Sequence, residues 1–455
     1  MASLRNNDTY SLYNLAWPIM LEMSLQFMIG TVDTIMVSRI SDEAVAAVGI
    51  CNQFFAALFV LFTMISGGAG ILVAQKLGAG NELEARKAAS LAFSFNVMIG
   101  IAVSLVVHFN TDLILTLMQV PPEIKPLAQQ YLYIVGSGAI MMALLQVCSN
   151  IIRNTGNTKA TMMIAIGMNL IHIVFNYVFI FGSFGFPELG MVGVGISTVL
   201  SRTLAALMLF IILLNSFSSR LTFAEFVRWN KKIVKEIAKI GVPLALGGGT
   251  YSITQLVIAA FIGTMGALEL ATRSYLSTVE SFAFLFGMAI AMAVQIRTAH
   301  LYGSGKRKEA YSDVWKALKW GIVLVEVNTL ILVILGKYIL NWFTSDESII
   351  ALGVFLLIIN IVLQPGKMMN MTMGNALNAV GQTRYVMITS IISMWLVSVG
   401  LAYVLGIVLE MGLLGVYIAM IVDEYLRGIL VALRWRKGKG QMRDVPVPVS
   451  NGLSL

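Results

Sequence analysis

Asp33 is a carboxylate set in an apolar run, Gln26-Phe-Met-Ile-Gly-Thr-Val-Asp33-Thr-Ile-Met. An ionised group at the centre of a bilayer costs at least about 2.5 to 3.5 kcal/mol, so such residues are functional candidates by default. Desolvation favours the neutral acid, which makes a lone buried carboxyl a group that can bind and release a proton. No basic residue stands within helical reach until Arg39, six positions on and off its face. Gln26 lies seven residues earlier, about 700° round a helix, so the two side chains share a face. Glu22 is nearly on that face but closer to the cytoplasmic end, where a snorkelling or interfacial role is expected. Pro18 removes a backbone hydrogen bond and is expected to kink the helix below both acids.

His172 and Asn176 are four residues apart on one face of another apolar run, with Asn169 seven before Asn176. An amide can hydrogen-bond a neighbouring carboxyl in either protonation state, and an imidazole can exchange protons with it. A lone intramembrane histidine is more often a packing residue, so His172 is a weaker candidate than Asp33. Further along, Glu280 and Glu326 fall near the middle of apolar runs with no evident local partner. Either is a candidate second ion site or a partner for Lys367. Asp423 and Arg427, at i,i+4, are expected to neutralise each other.

The elements that carry these groups are membrane spans. Of the 455 residues, 58% are hydrophobic and only 12% charged, against about 25% charged in soluble domains. Runs long enough to cross a bilayer occur at about 12–39, 44–77, 88–109, 125–153, 159–182, 192–216, 238–264, 268–300, 315–336, 348–376, 384–407 and 411–434. The net charge of +8 would suit nucleic acid if it formed one patch. Instead Lys76, Arg86, Lys87, Arg153, Lys159, Lys306, Arg307, Lys308, Arg434, Arg436 and Lys437 sit in or beside alternate connections. The opposite connections are poor in basic residues, which places both termini in the cytoplasm by the positive-inside rule. No cleavable signal peptide is evident. Cys51 and Cys148 lie inside apolar segments without metal-ligand spacing and read as small hydrophobes.

A duplication organises the chain. Pro18 recurs as Pro243, Gly78 and Gly80 as Gly303 and Gly305, Asn150 as Asn375, Gly156 as Gly381 and Thr158 as Thr383, all at an offset of 225 residues. Gly190-x-x-Gly193-Val194 recurs as Gly412-x-x-Gly415-Val416 at an offset of 222. The counterpart of Asp33 is Ile258, so the acid is not duplicated. Each half has an even number of spans, so the halves enter the membrane in the same sense. The expected fold is an all-α integral membrane protein of twelve transmembrane helices, in two six-helix lobes related by a pseudo-two-fold axis along the membrane normal. The lobes are expected at residues 1–217 and 241–440. Between them, 218–240 interleaves Arg228, Lys231, Lys232, Lys235 and Lys239 with apolar residues, as in an amphipathic cytoplasmic linker helix. Residues 441–455 read as a disordered tail.

No phosphate loop, metal-ligand cluster or nucleophile elbow occurs, which disfavours ATP-driven transport and enzymatic chemistry. An intramembrane enzyme would need polar groups clustered at one depth. The 27 methionines suit a cavity that accepts varied ligands, although most are expected to be packing residues.

Leu15-Ala-Trp-Pro18 leading to Val32-Asp33-Thr34-Ile-Met-Val37-Ser, with NIIRNTGNTK at Asn150–Lys159, its echo NALNAVGQTR at Asn375–Arg384, and Pro187-Glu-Leu-Gly-Met-Val-Gly193, resemble the multidrug and toxic compound extrusion (MATE) family across nearly the whole chain. The DinF-like branch is the candidate subgroup. The resemblance implies a V-shaped pair of lobes and secondary antiport of organic cations or other amphipathic drugs against H⁺ or Na⁺. Asp33 falls on the family's first-helix coupling aspartate, with Gln26 and Pro18 on family positions of the same helix. His172 and Asn176 fall where proton-coupled relatives commonly carry Asn and Asp, a departure that puts a two-carboxylate site in doubt. Sodium-coupled relatives place acids in helices seven and ten, and spans 241–265 and 348–376 have none.

The expected function is therefore a monomeric, proton-coupled drug exporter of the cytoplasmic membrane, without cofactor or metal, with Asp33 as coupling residue. Gln26, His172, Asn176, Glu280 and Glu326 are candidates for the substrate or proton pathway. The alternatives are Na⁺-coupled antiport, perhaps through Glu280, and a flippase for a lipid-linked saccharide, for which an arginine-rich cavity would be expected.

Overall fold

A computed structural model describes residues 10–438; the tail expected at 441–455 lies outside the described residues. Two compact units are formed. The first comprises Trp17–Ala74 and Asn81–Ala245, the second Ser11–Ala16, Gln75–Gly80 and the chain from Leu246 onward.

The first unit is built from α1 (Leu12–Ser38), α2 (Asp42–Gly78), α3 (Glu82–Leu117), α4 (Lys125–Ser137), α5 (Ala139–Asn154), α6 (Thr158–Phe181), α7 (Gly190–Leu214) and the short α8 (Phe223–Val227). The span expected at 125–153 is broken: α4 and α5 meet at an angle of 49°. Gly138 forms the joint, and a Cβ there would stand 2.9 Å from Val199 Cγ2. The bend frees the Ile140 N–H, which donates to Ser104 Oγ at 3.0 Å, as backbone without water requires. Cys51, Phe55, Tyr131, Leu132 and Val194 are among the residues of the buried core.

The 218–240 segment is not one helix. Thr222 and Glu225 cap α8 reciprocally, and the chain then extends before α9 (Lys231–Met265), which runs without interruption into the membrane span. Asn230 Oδ1 accepts from the N–H groups of Lys232 and Ile233, which starts α9 earlier than the apolar pattern alone suggests. Arg86 of α3 holds this region: Nη2 lies 2.8 Å from Glu225 Oε2 and Nε 3.0 Å from Oε1. The Arg86 hydrogen bonds hold the Glu225 carboxyl at about 2, well below its ordinary range.

The second unit continues from α9 through α10 (Ala267–Gly303), α11 (Arg307–Leu340), α12 (Glu347–Ala379), α13 (Thr383–Ser393), α14 (Gly400–Tyr403) and α15 (Gly412–Lys437). π-Helical turns at Met394–Val399 and Val404–Val408 join α13 and α14 into one span. Its core has two clusters, one including Leu276, Leu356 and Tyr417, the other including Val325, Met368 and Trp435. Among the described residues, ten helices are long and apolar enough to cross a membrane and the bent pair makes an eleventh. The twelfth, α15, carries Asp423, Glu424 and Arg427 in its middle, all buried.

The duplication survives in the backbone. Gly80 and its echo Gly305 have φ of +71° and +76°, and Gly156 and Gly381 +91° and +83°. Glycine reaches this left-handed region without the Cβ penalty, so the same turns are kept in both halves.

A carboxylate–imidazole–amide site on α1 and α6

Asp33 of α1 meets His172 and Asn176 of α6. His172 Nε2 stands 2.9 Å from Asp33 Oδ1 and 3.0 Å from Oδ2, and Asn176 Nδ2 donates to Oδ1 at 2.8 Å. The i,i+4 spacing puts the imidazole and the amide on one face of α6, so both reach a single carboxyl. Side-chain exposure is 7% for His172 and 30% for Asp33: the base is sealed in while the acid remains reachable.

Two serines of α7, again four residues apart, complete the cluster. The Ser197 hydroxyl bonds to Asn176 Oδ1, which leaves the amide N–H₂ to face the carboxylate. Ser201 Oγ lies 3.1 Å from His172 Nδ1 and 3.1 Å from the Thr198 carbonyl. Its single hydrogen can go to Nδ1 when the ring is neutral, or to the carbonyl when Nδ1 itself carries a proton and donates. The ring can change charge without displacing a heavy atom.

Other sequence candidates sit elsewhere. Gln26 is exposed and makes no hydrogen bond among the described residues, so sharing the face of Asp33 does not bring it to the site. Pro18 lies inside α1, which is continuous from Leu12 to Ser38. Glu22 does not snorkel. It is 5% exposed, with Arg153 Nη1 at 3.5 Å and the Thr161 hydroxyl donating at 3.2 Å. Arg153, which the charge pattern assigns to a connection, instead reaches this buried carboxyl.

Glu280 does have a local partner, Arg273, two turns earlier on α10, with Nη1 2.8 Å from Oε2. The Tyr417 hydroxyl and Asn360 Nδ2 also donate to Oε1, at 2.5 and 2.8 Å. Lys367 pairs with neither Glu280 nor Glu326; its Nζ lies over the Phe284 ring, 4.2 Å from the centroid. Glu326 keeps one oxygen buried without a hydrogen-bond partner among the described residues. Asp423 and Arg427 pair at 2.6 Å, as their spacing suggests, but Glu424 joins at 2.9 Å and is held by Asn370. Ser197, Ser201 and Arg273 were missed; each lies at i,i+4 or i,i+7 spacing that could have flagged it.

Helices that span a membrane in two six-helix units, one holding a sealed base against a reachable acid, define a multi-pass membrane transporter rather than an enzyme. The family model described as MatE matches twice, at residues 18–178 and 243–404, with starting points one internal repeat apart. The chain thus belongs to the MatE family, the multidrug and toxic compound extrusion transporters. It is 35% identical over 430 residues to the "Uncharacterized transporter YisQ" of Bacillus subtilis, covering 94% of each chain. It is 28% identical over 435 residues to a "Probable multidrug resistance protein NorM" of Thermotoga maritima, covering 95% of this chain and 93% of that one. A solved structure described as the "Outward-facing conformation of a multidrug resistance MATE family transporter of the MOP superfamily" matches with a TM-score of 0.87 at 21% identity, over 95% of this chain and 96% of that one. This last likeness concerns the fold.

Proposed function

We propose that this transporter exports amphipathic drugs or organic cations across the cytoplasmic membrane in exchange for protons, with both termini on the cytoplasmic side. The observation that carries the reading is the contact of His172 Nε2 with the Asp33 carboxylate at 2.9 Å. With the imidazole neutral and the carboxyl ionised, the pair has a net charge of −1 and attracts a lipophilic cation. One added proton, on either partner, brings the pair to zero and removes that attraction. Asp33 offers the exposed face of the pair to cargo, and His172 forms its buried proton-holding side. Exchange of one proton for one monovalent cation is electroneutral, so each pH unit supplies about 1.36 kcal/mol, about tenfold accumulation.

Multidrug resistance proteins among the relatives support the drug as cargo. The absence of acids from residues 241–265 and 348–376 supports H⁺ over Na⁺. Efflux of a cationic dye from proteoliposomes is the test. A pH gradient without sodium should drive it, and a sodium gradient at equal pH should not; the reverse result would replace the proton by Na⁺. Efflux under neither gradient would end the antiport reading.

A further inference from the structure

The second unit contains a cavity of about 440 Å³ whose lining includes Tyr251, Gln255, Leu270, Arg273, Glu280 and Lys367. Arg273 and Glu280 cancel each other across 2.8 Å. Lys367 is the remaining charge of the lining, so the cavity carries a net +1. The ammonium lies over the Phe284 ring and has no ion pair among the described residues. It sits twelve residues from the nearer end of α12. A cation in that position is expected either to pair or to serve a pathway.

Tyr251, 41% exposed, adds a phenol to the lining. Its oxygen accepts from Gln255 Nε2 at 2.8 Å, and its own O–H finds no acceptor among the described residues. The hydroxyls of Ser277 and Ser281, by contrast, are turned back onto carbonyls of α10 at 2.8 and 2.7 Å. The Lys367 ammonium and the Tyr251 side chain therefore line one space, next to an apolar wall of Ile258, Ala259, Ile262 and Leu270. A group that suits this lining is an acceptor-rich anion attached to an apolar body.

We propose that this cavity binds the acidic end of an amphipathic molecule, with Lys367 as counter-ion and Tyr251 as hydrogen-bond donor. The group is a carboxylate, sulfonate or phosphate. The proposal deepens the exporter reading by giving the second unit its own class of cargo, acidic or zwitterionic amphiphiles. It rests on that reading for the direction of transport and not for binding.

Equilibrium binding in lipid nanodiscs tests it, with dansylglycine and dansylglycine amide as probes that share an apolar body and differ in the carboxylate. The wild type should bind the acid about tenfold more tightly than the amide. Lys367→Gln should erase that difference by weakening the acid alone, and Lys367→Arg should keep it. Equal affinity of the wild type for both probes, or an unchanged preference in Lys367→Gln, would overturn the proposal. Thermal melting of each variant separates loss of the site from loss of the fold, and Tyr251→Phe gives a second, milder reading of the same preference. Discs with and without phosphatidylglycerol assign the source of the anion. Competition by that lipid that requires Lys367 marks a lipid headgroup, and its absence marks a dissolved amphiphile. No ion gradient is present in this assay, so it stands or falls separately from proton coupling.

Discussion

His172 Nε2 and Asp33 Oδ1 lie 2.9 Å apart and tie α6 to α1 across a sequence separation of 139 residues. The contact joins the acid and the base in one hydrogen-bonded unit, so a group that approaches the carboxylate meets the imidazole as well.

Asp33→Asn should abolish export while expression persists. The amide still accepts a hydrogen bond from the His172 ring, so the packing of α1 on α6 is retained, but the net negative state is lost. Dye efflux from proteoliposomes should fall at least about tenfold, the size expected when one charge contact of about 1.4 kcal/mol is removed. Undiminished efflux would show that the carboxyl is not the coupling group.

His172→Asn should change the pH profile more than the maximum rate. The amide can still donate to Asp33, but the imidazole, which can take up a proton beside the carboxylate, has been removed. Efflux measured from pH 5 to 9 should therefore lose a limb present in the wild type. A profile of unchanged shape would reduce His172 to a packing residue.

Arg427 serves two buried carboxylates, Asp423 at 2.6 Å and Glu424 at 2.9 Å. Arg427→Met would leave both without a counter-charge. Removing one partner from a buried ion pair costs about 3–5 kcal/mol, whereas neutralising the whole cluster is much less harmful. Thermal melting in detergent should drop sharply for Arg427→Met and recover when Asp423→Asn and Glu424→Gln are added. A single variant that melts like the wild type would mean that the three residues are energetically independent.

The Arg86–Glu225 contact should give the 218–230 segment an acid-sensitive hold. Arg86 lowers the Glu225 carboxyl from about 4.5 to about 2, so its folded value lies below its unfolded one. The stabilisation is then fully present above about pH 4.5 and is lost as pH falls towards 2. Hydrogen exchange over 218–230 should quicken across that window, and Glu225→Gln should show the fast rate already at pH 6. Protection that is unchanged by the substitution would place the anchor elsewhere.

Much of this arrangement could be read from the chain. Fixed offsets between Gly80 and Gly305, or Gly156 and Gly381, exposed the duplication because each glycine occupies a backbone turn that other residues resist. Asp33, His172 and Asn176 stood out because polar side chains are rare in apolar runs. Their meeting was not legible, since it depends on how α1 packs on α6. Gln26 shows the limit of face-sharing as an argument: one helical face can border both a polar site and open surroundings. Arg153 and Arg273 were not legible as partners of Glu22 and Glu280, because long side chains reach buried acids on another helix or two turns away. The break at Gly138 lay inside an apolar run read as one span, although Ser137-Gly138 is the kind of pair at which helices kink.

Ser201 Oγ faces two acceptors, His172 Nδ1 and the Thr198 carbonyl, and so acts as a swivel beside the ring. One turn of that swivel about its C–O bond exchanges the two acceptors and asks no helix to move. The packing of α6 against α7 is thereby insulated from the charge that the imidazole carries.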